Sequence, residues 1–151
     1  MSDNIADNNT EAQSRAAQLS PVALAFMGDA VYEMFVRSYL IQELRLTSAK
    51  LHLACVGFVK ASSQAHAVRI ILPMLSDEER MILRRGRNAN TTHVPKNAVP
   101  SDYRYATGLE ALFGYLFLCE RQSRMTEIFR VIVSEMNRNI ESKLPSECVE
   151  S

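Results

Sequence analysis

The chain has 151 residues, a formal net charge of +0, 47% hydrophobic and 23% charged residues, and three cysteines. This length makes one domain that can bury a core without disulfide or metal staples, and the neutral balance gives no global pull toward nucleic acid. No apolar run reaches the ~18 residues needed to span a bilayer, which argues against a membrane partner.

Cys55, Cys119 and Cys148 are scattered, odd in number and without metal-ligand spacing. With no signal-peptide profile ahead of the first apolar segment, a cytoplasmic protein in a reducing compartment is expected. Residues 1–18, rich in Asn, Asp, Ala, Gln and Ser, read as a disordered extension, residues 19–145 as the folded domain and residues 146–151 as a flexible tail.

Ser20-Pro21 is a helix start, a capping hydroxyl followed by proline at the first helical position. The helix it opens, to about Glu43, is apolar on nearly every side through Leu24, Met27, Val31, Met34, Phe35, Val36, Leu40 and Ile41, so it is expected at the centre of the domain. Asp29, Glu33 and Arg37 stand four residues apart and share one face. Thr47-Ser48 opens a second helix expected to run to near Pro73, and Ser76-Asp77-Glu78-Glu79 is a capping box for a third that Gly86 ends.

Arg87 to Pro100 has no periodicity and is long for a loop in a compact domain. From Arg80 to Arg104 the cations Arg80, Arg84, Arg85, Arg87, Lys96 and Arg104 face a single acid, Asp102. Ser101 is expected to cap a fourth helix, apolar almost all round but for a seam through Arg104, Thr107 and Glu110, and a fifth starts near Ser123. With no alternating strand pattern, the fold class is an all-α helical bundle.

Two helices of that character must pack together, and their carboxylates Asp29 and Glu110 can then meet. Facing acids repel unless a divalent cation lies between them, and oxygen-only ligation points to Mg²⁺, with Mn²⁺ a possible substitute. The alternative is structural: Asp29 pairs with Arg37 or Arg104, Glu110 with another arginine, and the chain is a non-catalytic helical RNA-binding or assembly module. A cationic loop beside an acidic metal site would suit phosphodiester cleavage, the loop gripping phosphates. His93 in that loop is expected to meet phosphate or solvent rather than act as a base.

The run Leu24-Ala25-Phe26-Met27-Gly28-Asp29-Ala30-Val31-Tyr32-Glu33 followed by Val36-Arg37 resembles the signature helix of the Mini-III ribonucleases, the ribonuclease III branch without a double-stranded-RNA-binding domain. Arg85-Gly86-Arg87-Asn88-Ala89, Pro95-Lys96-Asn97, Tyr103-Arg104-Tyr105-Ala106-Thr107 and Glu110-Ala111-Leu112-Phe113-Gly114-Tyr115-Leu116 match in the same order, so the resemblance covers Leu19 to Glu120. It implies an all-α, Mg²⁺-dependent endoribonuclease that acts as a homodimer on double-stranded RNA and leaves 5′-phosphate and 3′-hydroxyl ends. The family's best-known substrate is the large-subunit (23S) ribosomal RNA precursor, with a large-subunit ribosomal protein assisting.

On the same resemblance Asp29 and Glu110 are catalytic metal ligands, and Phe26 is the aromatic that inserts into the partner subunit. Arg84, Arg85, Arg87, Asn88, Lys96 and Arg104 are the expected RNA contacts. Ala25 and Thr107 stand where the wider ribonuclease III family keeps two further carboxylates, so a thinner metal shell is implied.

Overall fold

The computed structural model describes residues 3–90 and 94–141. Its helices are α1 (Asp3–Gln18), α2 (Pro21–Glu43), α3 (Ser48–Val59), α4 (Ala61–Ile71), α5 (Asp77–Arg87), α6 (Pro100–Leu118) and α7 (Gln122–Glu141). A 3₁₀ turn, Leu72–Met74, joins α4 to α5, and there is no strand among the described residues. The expected all-helical bundle is what forms.

Helices α2 and α6 make the central pair, with α4 and α5 against α6 and α3 against α2. Ser20 caps α2 by accepting from the Ala23 amide at 3.1 Å, and Pro21 opens it. Leu24, Val31, Tyr32, Val36 and Leu40 of α2 meet Leu109, Leu112, Phe113 and Leu116 of α6 in one core, to which α7 adds Ile128, Phe129 and Ile132. Edge-to-face rings knit it, Tyr32 to Phe113 at 5.1 Å and Tyr32 to Phe129 at 6.0 Å between centroids.

Helix α2 departs from the enclosure its sequence predicts. The helix is not enclosed on all sides, because Phe26 is 83% exposed and Ile41 and Met34 stand out as well. An apolar side chain in the sequence reports that a surface is covered or awaits a cover, and the two look alike.

The predicted single helix from Thr47 to near Pro73 is two, and α4 ends at Ile71 ahead of the 3₁₀ turn. Lys60 is extended (φ −62, ψ 150) and separates α3 from α4. Ser63 Oγ donates to the Gly57 carbonyl at 2.5 Å and Gln64 Nε2 to the Val59 carbonyl at 3.1 Å, so the polar side chains of α4 satisfy carbonyls that an unbroken helix would have paired. Gly86 does not end α5, which continues to Arg87. A β-carbon on Gly86 would sit 2.7 Å from the Ala111 β-carbon and one on Gly108 2.7 Å from the Leu83 carbonyl oxygen, so these glycines let α5 and α6 touch. Helix α6 starts at Pro100 behind Val99, which makes no capping bond, one residue before the Ser101 cap expected.

The capping box at Ser76 forms as read, and its Glu79 has a second duty. Glu79 is buried, and Arg124 of α7 grips both its carboxylate oxygens at 2.8 Å while also donating to the Met74 carbonyl. Burial alone would raise its pKa, but the bonds from Arg124 and from the Ser76 amide outweigh this and hold it below the ordinary value.

The expected disordered extension is also corrected, since residues 3–18 form α1. Ala16 is buried, and Arg85 donates to the Ala17 carbonyl at 2.9 Å and the Leu19 carbonyl at 3.0 Å, capping the helix's C-terminal end. Composition suggested disorder because α1 has few large apolar side chains; docking on a side chain distant in sequence compensates. Residues 146–151, Cys148, and Thr91, Thr92 and His93 of the loop lie outside the described residues.

Candidate active site

Helices α2 and α6 cross with their backbones in contact at two glycines. A β-carbon on Gly28 would overlap the Glu110 carbonyl and lie 2.7 Å from the Gly114 nitrogen, and one on Gly114 would overlap the Leu24 carbonyl. Asp29 follows Gly28, and Glu110 carries the carbonyl against which Gly28 rests, so the crossing itself makes the two acids neighbours. Asp29 is exposed beside the crossing and Glu110 is half-buried in it.

Neither acid enters an ion pair among the described residues. Arg37, one proposed partner of Asp29, instead bonds Glu33 through Nε at 2.9 Å on the outer face of α2. Arg104, the other, is exposed. Burial pushes the Glu110 carboxyl up to about 7, the Asp29 charge adds to this, and a hydrogen bond from the Gln64 amide pulls the other way. Asp29, exposed at its outer edge but partly desolvated by the crossing, is raised as well, first by that desolvation and then by Glu33. Two neighbouring acids that enter no ion pair among the described residues both disfavour their charged forms, a strain that a bound cation would relieve.

The donors suit a hard divalent ion. No group of three or more His, Cys, Asp and Glu gathers among the described residues, so the chain offers oxygen atoms from two carboxylates. This is the sparse ligation that Mg²⁺ accepts while keeping several waters, and it lacks the nitrogen and sulfur donors of a zinc site. Ala25 and Thr107 lie buried close by, one turn before Asp29 and Glu110, and add no charge; the Thr107 hydroxyl donates to the Tyr103 carbonyl at 3.0 Å. Beside Glu110 opens a cleft of about 630 Å³ lined by Lys60, Ser62, Asn97, Tyr103 and Thr107.

The expected RNA contacts divide. Arg84, Asn88, Lys96 and Arg104 are exposed. Arg87 is half-buried, its guanidinium 5.7 Å over the Tyr105 ring and its Nε donating to Asn88 Oδ1 at 3.2 Å. Arg85 is corrected from an RNA contact to a structural group, because its half-buried guanidinium is engaged by the Ala17 carbonyl of α1 and the Leu19 carbonyl just beyond it. Sequence reading missed Lys60 and Gln64 at the site; a glutamine on the otherwise apolar inner face of α4, among Ala65, Ala67, Val68 and Ile71, was the available signal.

The model of the ribonuclease III domain family matches residues 22–121, the stretch from α2 through α6. A Mini-ribonuclease 3 from Clostridium tetani is 42% identical over 118 residues, 78% of each chain, and one from a Thermoanaerobacter species is 42% identical over 127 residues, 83% of this chain and 89% of that one. The chain belongs to the Mini-III branch of the ribonuclease III family. It is therefore an endoribonuclease of that type. An X-ray structure of a Fusobacterium nucleatum protein overlays on it with a TM-score of 0.71 at 27% identity, covering 79% of this chain and 95% of the other.

For this Mini-III chain the raised Glu110 pKa carries a stability prediction. Between its ordinary 4.5 and about 7 the folded state holds a proton that the unfolded state has lost, so stability is full below 4.5 and falls as pH rises to about 7. At ~1.36 kcal/mol per pH unit the loss is on the order of 3 kcal/mol. Urea unfolding in EDTA at pH 5 and pH 8 measures it: Glu110→Gln should remove most of the difference, and an equal difference in that variant would deny its origin at Glu110.

Proposed function

We propose that this endoribonuclease is Mg²⁺-dependent and specific for double-stranded RNA, and that it acts as a cytoplasmic homodimer in maturing the large-subunit (23S) ribosomal RNA precursor, with a large-subunit ribosomal protein as helper. The observation that carries the reading is the unpaired Asp29–Glu110 couple at the Gly28 crossing. Asp29 and Glu110 hold the ion, for which Mn²⁺ can substitute. A divalent ion bound there supplies Lewis acidity and lowers the pKa of a coordinated water, which suits hydrolysis to 5′-phosphate and 3′-hydroxyl ends. Exposed Arg84, Asn88, Lys96 and Arg104, with Arg87 braced on Tyr105, bind backbone phosphates and read A-form shape rather than bases. Duplex and single-stranded RNA of one sequence, incubated with Mg²⁺ or with EDTA, test this: only the duplex with Mg²⁺ should be cut, and undiminished cutting in EDTA would refute the metal.

Two apolar side chains one turn apart on α2, Val22 and the 83% exposed Phe26, stand bare together and support the dimer, since an exposed apolar patch suits contact with another protein. In a two-fold dimer Phe26 buries against the partner, and each protomer presents one site to one strand of the duplex. Truncating such an anchor costs about 2 kcal/mol or more, enough to weaken association well over tenfold. Sedimentation of Phe26→Ala should show more monomer at low concentration, and an unchanged association constant would remove Phe26 from the interface.

For the cations, replacing Arg84 and Lys96 with Gln should weaken duplex binding alike for all sequences. The plot of log K against log salt should flatten by roughly two units on the DNA-derived scale of ~0.9 per phosphate contact. The wild-type slope in the double variant would take both residues off the RNA surface.

A further inference from the structure

Gln64 is 2% exposed, deep between α4 and α6, where a leucine would satisfy packing. Its Nε2 donates to the Val59 carbonyl at 3.1 Å, and its side chain reaches toward the Glu110 carboxylate, whose pKa it lowers. Its Oε1 is buried without a partner. A buried amide with an unsatisfied acceptor costs about 1 to 3 kcal/mol, so this side chain is poorly explained by stability.

The anchor fixes which end of the amide faces the acid. The Val59 carbonyl can only accept, so the nitrogen must lie toward it, and the second proton of the same nitrogen is left for Glu110. Were the amide turned over, its oxygen would oppose the Val59 oxygen. The Val59 carbonyl is available because the helix breaks at Lys60, so the α3–α4 break, the glutamine and the Glu110 carboxylate form one unit.

We propose that Gln64 is a positioning residue of the metal site: anchored on the Val59 carbonyl, its amide holds the Glu110 carboxylate in the orientation that, with Asp29, takes a divalent cation. This rests on the metal reading above. Groups that orient a metal ligand typically contribute 10- to 100-fold in metal affinity, which sets the expected size of the effect.

The test is Mn²⁺ binding to the RNA-free protein, followed by the loss of the free-ion paramagnetic resonance signal, for wild type, Gln64→Met and Gln64→Leu. Methionine keeps the unbranched shape and leucine the volume; both remove the unpaired acceptor but also the donor to the Val59 carbonyl, so the two effects oppose and melting in EDTA is measured to show that each variant folds. Mn²⁺ affinity should fall on the order of tenfold in both. The Mg²⁺ concentration for half-maximal cleavage should rise in parallel, with most of kcat regained at saturation. A wild type that binds Mn²⁺ while either folded variant matches it within about twofold overturns the role of Gln64 alone. A wild type that binds no Mn²⁺ overturns the metal reading and this role with it.

Discussion

Asp29→Asn and Glu110→Gln should each lower cleavage of duplex RNA in saturating Mg²⁺ by roughly 10³-fold or more, with RNA affinity and helical content kept. Metal-assisted charge stabilisation is worth several kcal/mol, and each ~1.4 kcal/mol is tenfold in rate. Among the described residues the site gathers two carboxylates, so under the proposed metal reading losing one would leave a single anionic ligand, and the effect should exceed that at a carboxylate-rich site. The amides nearly match the acids in shape, and Glu110→Gln also removes the repulsion from Asp29 that helps raise its pKa, so the fold should not suffer. Cleavage within tenfold of wild type in either purified variant would contradict the catalytic assignment.

Gly28→Ala should be the most damaging single methyl in the chain. The added carbon would overlap the Glu110 carbonyl and crowd the Gly114 amide, backbone atoms that cannot rotate away, so α2 and α6 must part. Overpacking commonly costs about 1 to 3 kcal/mol, and separating the central pair should exceed that. At about 2 to 4 °C per kcal/mol for a domain this size, melting should drop by roughly 10 °C or more, with activity lost because the acids move apart. Gly57→Ala is the control, because nothing lies within 4 Å of its β-carbon position and helix propensity favours alanine. A Gly28→Ala protein melting within about 2 °C of wild type would show that the crossing is looser than described.

What the sequence disclosed and what it hid follow from how far each determinant reaches. Ser20-Pro21 and the Ser76 capping box are local devices, and both helices start where those residues say. The meeting of Asp29 and Glu110 could be anticipated because two helices so apolar must pack on each other. The break at Lys60 was hidden because Ser63 and Gln64 read as ordinary helix residues until their side chains are seen taking the Gly57 and Val59 carbonyls. Gly86 looked like a stop because a glycine that ends a helix and one that admits a neighbouring helix are the same letter. Arg85 looked like its neighbours Arg84 and Arg87, and only the docking of α1, 66 and 68 residues away in sequence, separates it from them. Glu79 likewise read as a first-turn acid, and its grip by Arg124 crosses from α5 to α7.

The most direct measurement on the central claim is anomalous diffraction from crystals soaked in Mn²⁺. The site described here requires a peak within about 2.5 Å of a carboxylate oxygen of Asp29 and of Glu110 at once. Crystals of protein active with Mn²⁺, soaked at a saturating concentration, that show no peak between those two side chains would contradict it.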